Sequence, residues 1–483
     1  MAFHKVLIYS WGTRGDVQPP LALALRLKAM GKEVTMFVTP PSHEMCRTAG
    51  ITCVAASESG DFFAALDGLG THSASRTLDW HCPIPLLTIP LSNPWTDPSD
   101  MSFFNIIRQV RALKAYQGTP AYQAALTADT QAGYELAQQF KPDVIIHSGF
   151  AYAFWASVGE ALGVPVIRYD LQPNYPTAEI SFFKQEDGKI PQCLNKLAYT
   201  AFNKSGIANA QRPRAMELRA LAGLSATSHK DDSPVALPPD LPELCPMSPT
   251  FVPQPSDWPD FKEMCGYWIM PPTTDFKPST ELAAFLAAGS PPVYVGFGSM
   301  KGNPDFCKKL STVAITALAK AKVRGILLGG WAGLTAQVLD QSSEEGQRLS
   351  TYAAENVFEL PSCPHDWLFP RCACVVHHGG AGTTAAGMLA GKPMIICAIT
   401  SDQPWHGSLI AKKQLGGYAG PIGKVTGDGL GDLLVTVLAD AVIAENAAQM
   451  GQKLSTEDGT LNAIKTIERA IASFPYPWPT QRP

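Results

Sequence analysis

Cys374-Val-Val-His377-His378-Gly379-Gly380-Ala381-Gly382-Thr383-Thr384-Ala-Ala-Gly-Met-Leu389 is the stretch that decides the fold. An apolar run of the buried-strand kind, Ala373 to His377, gives way to a glycine-rich turn and then to a helix read as Ala385 to Leu389. A strand that ends this way belongs to an open parallel α/β sheet, where ligands bind outside the carboxyl ends of the strands. Glycines let an anion approach the backbone, and the helix N-terminus offers a phosphate unpaired N–H groups and partial positive charge. Thr383 and Thr384 add hydroxyl donors and His378 an imidazole donor. A ligand-free turn is the plainer reading, but two histidines and two threonines around the glycines favour a phosphate site.

The pattern extends outward in both directions. Downstream, the strand Pro393 to Cys397 leads to Asp402-Gln403. That pair can accept and donate hydrogen bonds to several hydroxyls, as a sugar ring requires, although a solvated loop would look the same. Upstream, the strand Pro292 to Phe297 is followed by the turn Gly298-Ser299-Met300, a helix from Asp305 to Lys320 and a strand from Val323 to Leu328. The N-terminal half alternates in the same way. Lys5 to Ser10 is a strand, Gly12-Thr-Arg-Gly15-Asp16 a loop, and Leu21 to Met30 a helix with Pro19 and Pro20 in its first turn and Gly31 at its end. Glu33 to Val38 completes a right-handed βαβ unit. Asp143 to His147, the helix Tyr152 to Leu162 closed by Gly163, and Val164 to Arg168 continue the alternation.

The expected fold is therefore α/β, with two Rossmann-like domains facing a cleft. The expected boundaries are 1–265, a linker at 266–280, a second domain at 281–455, and a C-terminal helix and tail at 456–483 that pack back on the first domain. Nine prolines in the 26 residues from Pro234 to Pro259 exclude regular helix there, leaving a linker or edge strands with turns.

Composition narrows the function. The 483 residues carry a formal charge of −4, which disfavours nucleic acid as a main partner. No run of roughly 18 apolar residues predicts a membrane span, and the N-terminus shows no export signal. Eleven scattered cysteines read as free thiols, and the spacing of Cys372 and Cys374 does not suit zinc. The expected location is cytoplasmic, with peripheral membrane contact left open.

The loop after the first strand is not GxGxxG, so a nicotinamide dehydrogenase is disfavoured. It presents Asp16 at the end of that strand, either as a general base or as the N-cap of a helix starting near Pro19. Aromatic residues are plentiful in this half: Phe62, Phe63, Trp80, Trp95, Phe103, Phe104, Phe150, Tyr152 and Trp155. Each alone reads as core. As a group they suggest an apolar cleft for a lipophilic ligand, with His147, Tyr152, Trp155 and Asn174 as candidates to line it, although His147 reads equally as a structural histidine.

Four segments now stand in one order: Gly12-Thr-Arg-Gly-Asp16-Val-Gln-Pro19, Cys363-Pro-His-Asp-Trp-Leu368, His377 to Thr384, and Asp402-Gln-Pro404. Together they resemble glycosyltransferase family 1, in the branch that holds sterol 3-β-glucosyltransferases and bacterial antibiotic glycosyltransferases. The resemblance implies a GT-B fold, with the acceptor on the N-terminal domain and a nucleotide sugar, usually UDP-glucose, on the C-terminal one. It implies that His378, Gly380, Ala381, Gly382 and Thr383 hold the diphosphate with Ser299 nearby. It places Cys363, His365 and Trp367 near base and ribose, and Asp402 and Gln403 on the sugar. Asp16 takes the position of the base in a single inverting displacement onto a terpenoid, sterol or polyketide hydroxyl. Plant small-molecule transferases of the wider family carry His at the base position and Glu at the position of Ala386, so Asp16 and Ala386 favour the sterol and antibiotic branch. No Asp-x-Asp ends a strand, so neither a metal nor a cofactor is expected beyond the nucleotide sugar. A nucleotide-sugar epimerase and a non-catalytic nucleotide-sugar-binding protein are the alternatives.

Overall fold

The computed structural model describes residues 3–12, 14–55, 120–181, 192–203, 212–224, 241–298, 304–329, 333–399 and 402–474. They divide into two units. The first takes the described residues up to Pro272 together with those from Gln449 onward, and the second takes Thr273–Ala448.

In the first unit seven strands form one sheet: β1 (Lys5–Ser10), β2 (Glu33–Val38), β3 (Thr52–Ala55), β4 (Val144–Ser148), β5 (Val166–Tyr169), β6 (Glu243–Cys245) and β7 (Lys262–Met264). Their order is β3-β2-β1-β4-β5-β6-β7, and all pairs are parallel. Val6, Leu7, Ile8, Val144, Ile145 and Ile146 have no exposed surface. Continuous apolar runs of this kind suit strands covered by helices on both faces. The proline-rich stretch contributes β6, and β7 follows it at the sheet edge. The stretch thus forms a strand between turns, but not an edge strand: β6 pairs with β5 on one side and β7 on the other.

The helix after β1 spans Arg14–Ala29 and contains Pro19 and Pro20. It thus begins seven residues before the expected Leu21. The helix Tyr152–Leu162 ends at Gly163, whose φ of 67° is left-handed, as the sequence indicated. The C-terminal helix Gly459–Ser473 buries Ala463, Ile464, Ile467 and Ile471 in the same core as β1 and β4. Asp458 caps it through the Leu461 N–H and pairs with Arg26 at 3.2 Å.

The second unit holds β8 (Val293–Gly296), β9 (Gly325–Leu328), β10 (Val357–Leu360), β11 (Cys374–His377), β12 (Met394–Ala398) and β13 (Gly416–Pro421). The order is β10-β9-β8-β11-β12-β13, again wholly parallel. Each sheet reverses its strand order once, between β1 and β4 in the first unit and between β8 and β11 in the second. Among the described residues no helix is long and apolar enough to cross a membrane.

Candidate active site

In open α/β sheets the crevice for a ligand opens where the strand order reverses, because successive crossovers leave on opposite faces. In the second unit that point lies between the loops after β8 and β11. The two loops meet at His378. A Cβ on Gly298 (φ 67°) would come within 2.8 Å of the ring's Cε1, and one on Gly380 within 2.5 Å of Nε2. Glycines on both sides therefore let the imidazole lie between the loops. Burial pushes His378 down to about 4, with Asp402 acting the other way. At neutral pH it is an uncharged donor, and its Nδ1 has no hydrogen-bond partner.

The helix after this loop is Ala381–Leu389, so it starts four residues before the expected Ala385. Gly382, Thr383 and Thr384 lie in its first turn. Its N-cap is Gly380, which has no side chain to satisfy the first N–H groups. Three other helices of this unit are capped, Ser279, Ser343 and Thr426 each accepting an N–H of the first turn, whereas His365–Leu368 and Gln403–Lys412 also lack a side-chain cap. Thr384 is fully buried with its hydroxyl unpartnered. The result is an uncapped helix N-terminus beside two buried polar atoms that lack partners.

Asp402 and Gln403 are both buried at the end of β12, at the start of the helix Gln403–Lys412. The Gln403 side-chain carbonyl accepts the Ile399 N–H at 2.7 Å, a bond that closes the strand end. Asp402 Oδ2 lies 3.7 Å from His406 Nδ1.

The segment 363–368 contains the short helix His365–Leu368, which packs on Ala381–Leu389. His365 stacks on Phe369, 4.4 Å between centroids, and its Nε2 is 3.4 Å from the Tyr294 hydroxyl. Trp367 lies edge-on to Phe276 and under the Arg371 guanidinium at 4.2 Å. With Pro278, Ala283, Leu286, Ala287 and Arg371 it lines an open groove of about 450 Å³. Cys363 is nearly buried, and burial pushes its thiol up to about 11.

The first unit holds the remaining candidate residues, Asp16, His147, Tyr152, Trp155 and Asn174. Asp16 is half-buried in the first turn of Arg14–Ala29, so it is not the N-cap of a helix starting at Pro19. In a regular helix its carbonyl would accept the N–H four residues on, but that residue is Pro20, which has none. The Ser10 hydroxyl donates to this carbonyl instead, at 3.0 Å. Gly12 has φ 125°, and a Cβ there would overlap the Asp16 carboxyl group, 2.7 Å from Cγ. The Gly12 carbonyl is held by the buried Thr39 hydroxyl at 3.1 Å. Gly12→Ala should therefore displace Asp16, costing about 1–3 kcal/mol of stability and most of any turnover that depends on Asp16. Thermal melts and initial rates of the variant check both.

Across the reversal point, His147 lies one residue before the end of β4, opposite Tyr9 of β1. It is fully buried, donates from Nδ1 to the Ser148 carbonyl at 2.8 Å, and has no partner on Nε2. Tyr152 is half-buried, 6.0 Å from the His147 ring and beneath the Arg168 guanidinium. Asn174 is half-buried, its N–H on the Gln172 carbonyl. Trp155 is a correction to the acceptor set: it is fully buried against Tyr9, Phe37 and Phe154 and belongs to the core. Ser299 and Phe62, Phe63, Trp80, Trp95, Phe103 and Phe104 lie outside the described residues.

Sequence reading missed a charged cluster beneath the loop after β4. Lys262, fully buried, lies 3.2 Å from Asp170 and 3.3 Å from Glu243, and Arg168 pairs with Asp170 at 2.9 Å. Burial works to raise Asp170, but Arg168 and Lys262 outweigh it and hold the carboxyl at about 2. A Cβ on Gly149 would overlap Asp170 and come within 2.9 Å of Arg168 Nε, so the loop after β4 rests on this cluster.

Burial also lowers His147 to about 4 and His377 well below the ordinary histidine range, as it does His378. Below about pH 6.5 the unfolded chain takes up protons that these folded imidazoles refuse. Stability should then fall by up to about 1.4 kcal/mol per pH unit for each group. Asp170 does not contribute above pH 5, where it is ionised folded and unfolded alike. Melting midpoints at pH 7.5 and 5.5 check this, and a flat profile would mean that the rings protonate normally in the native state.

Comparison with known proteins gives three findings. The family described as erythromycin biosynthesis protein CIII-like, C-terminal domain, matches residues 331–467. A sterol 3-beta-glucosyltransferase of Arabidopsis thaliana is 32% identical over 474 residues, covering 97% of this chain and 68% of the relative. Fungal proteins of the same name are matched over smaller shares of their length, from 20% in one from Debaryomyces hansenii to 35% in one from Saccharomyces cerevisiae. Among solved structures, the calicheamicin glycosyltransferase CalG4 superposes with a TM-score of 0.63 at 14% identity, covering 98% of this chain and 99% of that one. The glycosyltransferase VinC in complex with dTDP gives 0.60 at 18% identity, covering 97% and 100%. Both likenesses support the GT-B fold.

Proposed function

We infer the function from one premise: this chain belongs to glycosyltransferase family 1, in the branch of the sterol 3-beta-glucosyltransferases. It is a hexosyltransferase that takes a nucleotide sugar and a lipophilic alcohol. The finer reading is UDP-glucose as donor, a terpenoid, sterol or polyketide hydroxyl as acceptor, Asp16 as general base, and inversion at the anomeric carbon.

One observation carries the donor side: the uncapped N-terminus of Ala381–Leu389, with His378 and Thr384 left unpartnered beside it. A diphosphate supplies the acceptors that these donors lack. In the reaction the acceptor oxygen forms a bond to the anomeric carbon as the bond from that carbon to the diphosphate oxygen breaks. The diphosphate leaves with the electron pair, and Asp16 takes the hydroxyl proton. Charge gathers on the departing diphosphate, where the helix N–H groups and the neutral His378 stabilise it. Asp402 and Gln403 orient the sugar.

The test incubates the protein with UDP-glucose and a panel of sterols, terpenoid alcohols and polyketides, without added metal, and reads products by liquid chromatography and mass spectrometry. An acceptor heavier by one hexosyl unit, β-linked by NMR, supports the whole reading. An α-linked product would refute inversion. UDP-glucose binding with no transfer to any acceptor would favour a nucleotide-sugar-binding protein, and no binding at all would remove the UDP-glucose assignment.

A further inference from the structure

His406 stands four residues after Asp402, on the inner face of the helix Gln403–Lys412, and is fully buried. Its Nδ1 meets the Gly379 carbonyl at 2.7 Å. A carbonyl only accepts, so Nδ1 carries the proton. On the other side of the same residue, the Gly379 N–H donates to His377 Nδ1 at 3.0 Å, so that imidazole carries its proton on Nε2. Two buried rings in opposite tautomers thus hold both polar groups of one glycine. Gly379 needs such a hold. Its φ is 90°, and a Cβ there would lie 2.6 Å from Ile396 Cγ2 and 3.1 Å from the Gln403 carbonyl oxygen. Unheld, a glycine would lose this conformation readily, because it has many others open to it. The same Nδ1 lies 3.7 Å from Asp402 Oδ2. One imidazole therefore touches the phosphate loop and the carboxylate assigned to the sugar.

We propose that His406 is a positioning residue for the donor: it locks the Gly379 peptide and so sets the backbone that grips the diphosphate. This rests on the assignment of the His378 loop to a nucleoside diphosphate. His406 touches no substrate itself and acts through Gly379 and Asp402. Neither the sequence motifs nor the donor set above includes it.

Three variants test it, with UDP as the calorimetric probe and steady-state rates on UDP-glucose. His406→Asn keeps a donor close to the place of Nδ1. His406→Gln moves the donor toward the place of Nε2, and His406→Phe keeps the ring and removes the donor. His406→Phe and His406→Gln should weaken UDP binding about tenfold, the effect of losing one buried hydrogen bond. They should raise KM for UDP-glucose similarly while leaving KM for the acceptor unchanged. His406→Asn should stay within about threefold of the parent. If His406→Phe does not fold, the Asn and Gln variants still decide, because equal affinities for the two overturn the proposal. Parent-like affinity in all three overturns it while leaving the donor assignment intact. Failure of the parent protein to bind UDP overturns the donor assignment and this proposal with it.

Discussion

Asp16→Asn is expected to lower kcat by roughly 10²- to 10⁴-fold, the range for removing a general base, and to leave UDP affinity within about twofold. The substitution is conservative at every link except the chemical one. Asparagine matches the volume of aspartate, so the contact with Gly12 survives. The Ser10 hydroxyl bonds to the backbone carbonyl of residue 16, which the variant keeps. The lost negative charge in the first helical turn costs about 0.3–1 kcal/mol, too little to unfold the unit. What disappears is a group able to take a proton from a hydroxyl. The measurements are steady-state turnover with the acceptor found above and calorimetry with UDP. Near-parental kcat would mean that the acceptor proton goes elsewhere. Lost turnover accompanied by lost UDP binding would mean that the residue matters for structure rather than for proton transfer.

Lys262→Met should destabilise the first unit by about 3–5 kcal/mol, the effect of breaking a buried ion network by removing one partner. Lys262 is fully buried between Asp170 and Glu243, and without it two carboxylates share Arg168 alone. Methionine fills much the same space, so the loss is electrostatic and not a cavity. For a unit of this size the melting midpoint should fall by about 10 °C. Adding Glu243→Gln should recover part of the loss, because it removes one of the carboxylates left without a partner. Scanning calorimetry of the single and double variants checks this. A single variant within about 1 kcal/mol of the parent would show that water or rearrangement solvates the carboxylates and that the cluster supports nothing. The consequence reaches function through Gly149, which lies against Asp170 and Arg168 and carries the loop after β4.

Strands were legible where they are long and apolar. Lys5–Ser10 and Cys374–His377 are continuous buried runs that fit only a covered parallel sheet. The two helix starts nearest the site were misread for a shared reason: local preference pointed one way and tertiary contacts another. Pro19-Pro20 reads as a first turn, yet the Ser10 hydroxyl satisfies the carbonyl that Pro20 strands, and the helix runs back to Arg14. Gly382, Thr383 and Thr384 are poor helix formers, yet Gly379 is held on both sides by histidines and the helix begins at Ala381. β6 and β7 have three residues each, too few to show a period. The buried cluster joins Asp170 to a lysine 92 positions away, and the Gly379 clamp reaches across 27. No local pattern encodes such pairs. The single local signal for His406 was its place one helical turn after Asp402.

The last helix of the chain has a consequence for synthesis. A ribosome delivers residues in order, and domains generally fold as units as they emerge. Thr273–Ala448 is complete before the chain ends. The earlier unit is not, because its core includes Ile464, Ile467 and Ile471, which emerge only after the second unit. The first-made sheet must wait, with a strip of apolar surface uncovered, while the later-made sheet closes. The interval of exposure is set by the time needed to translate everything between Pro272 and Gly459.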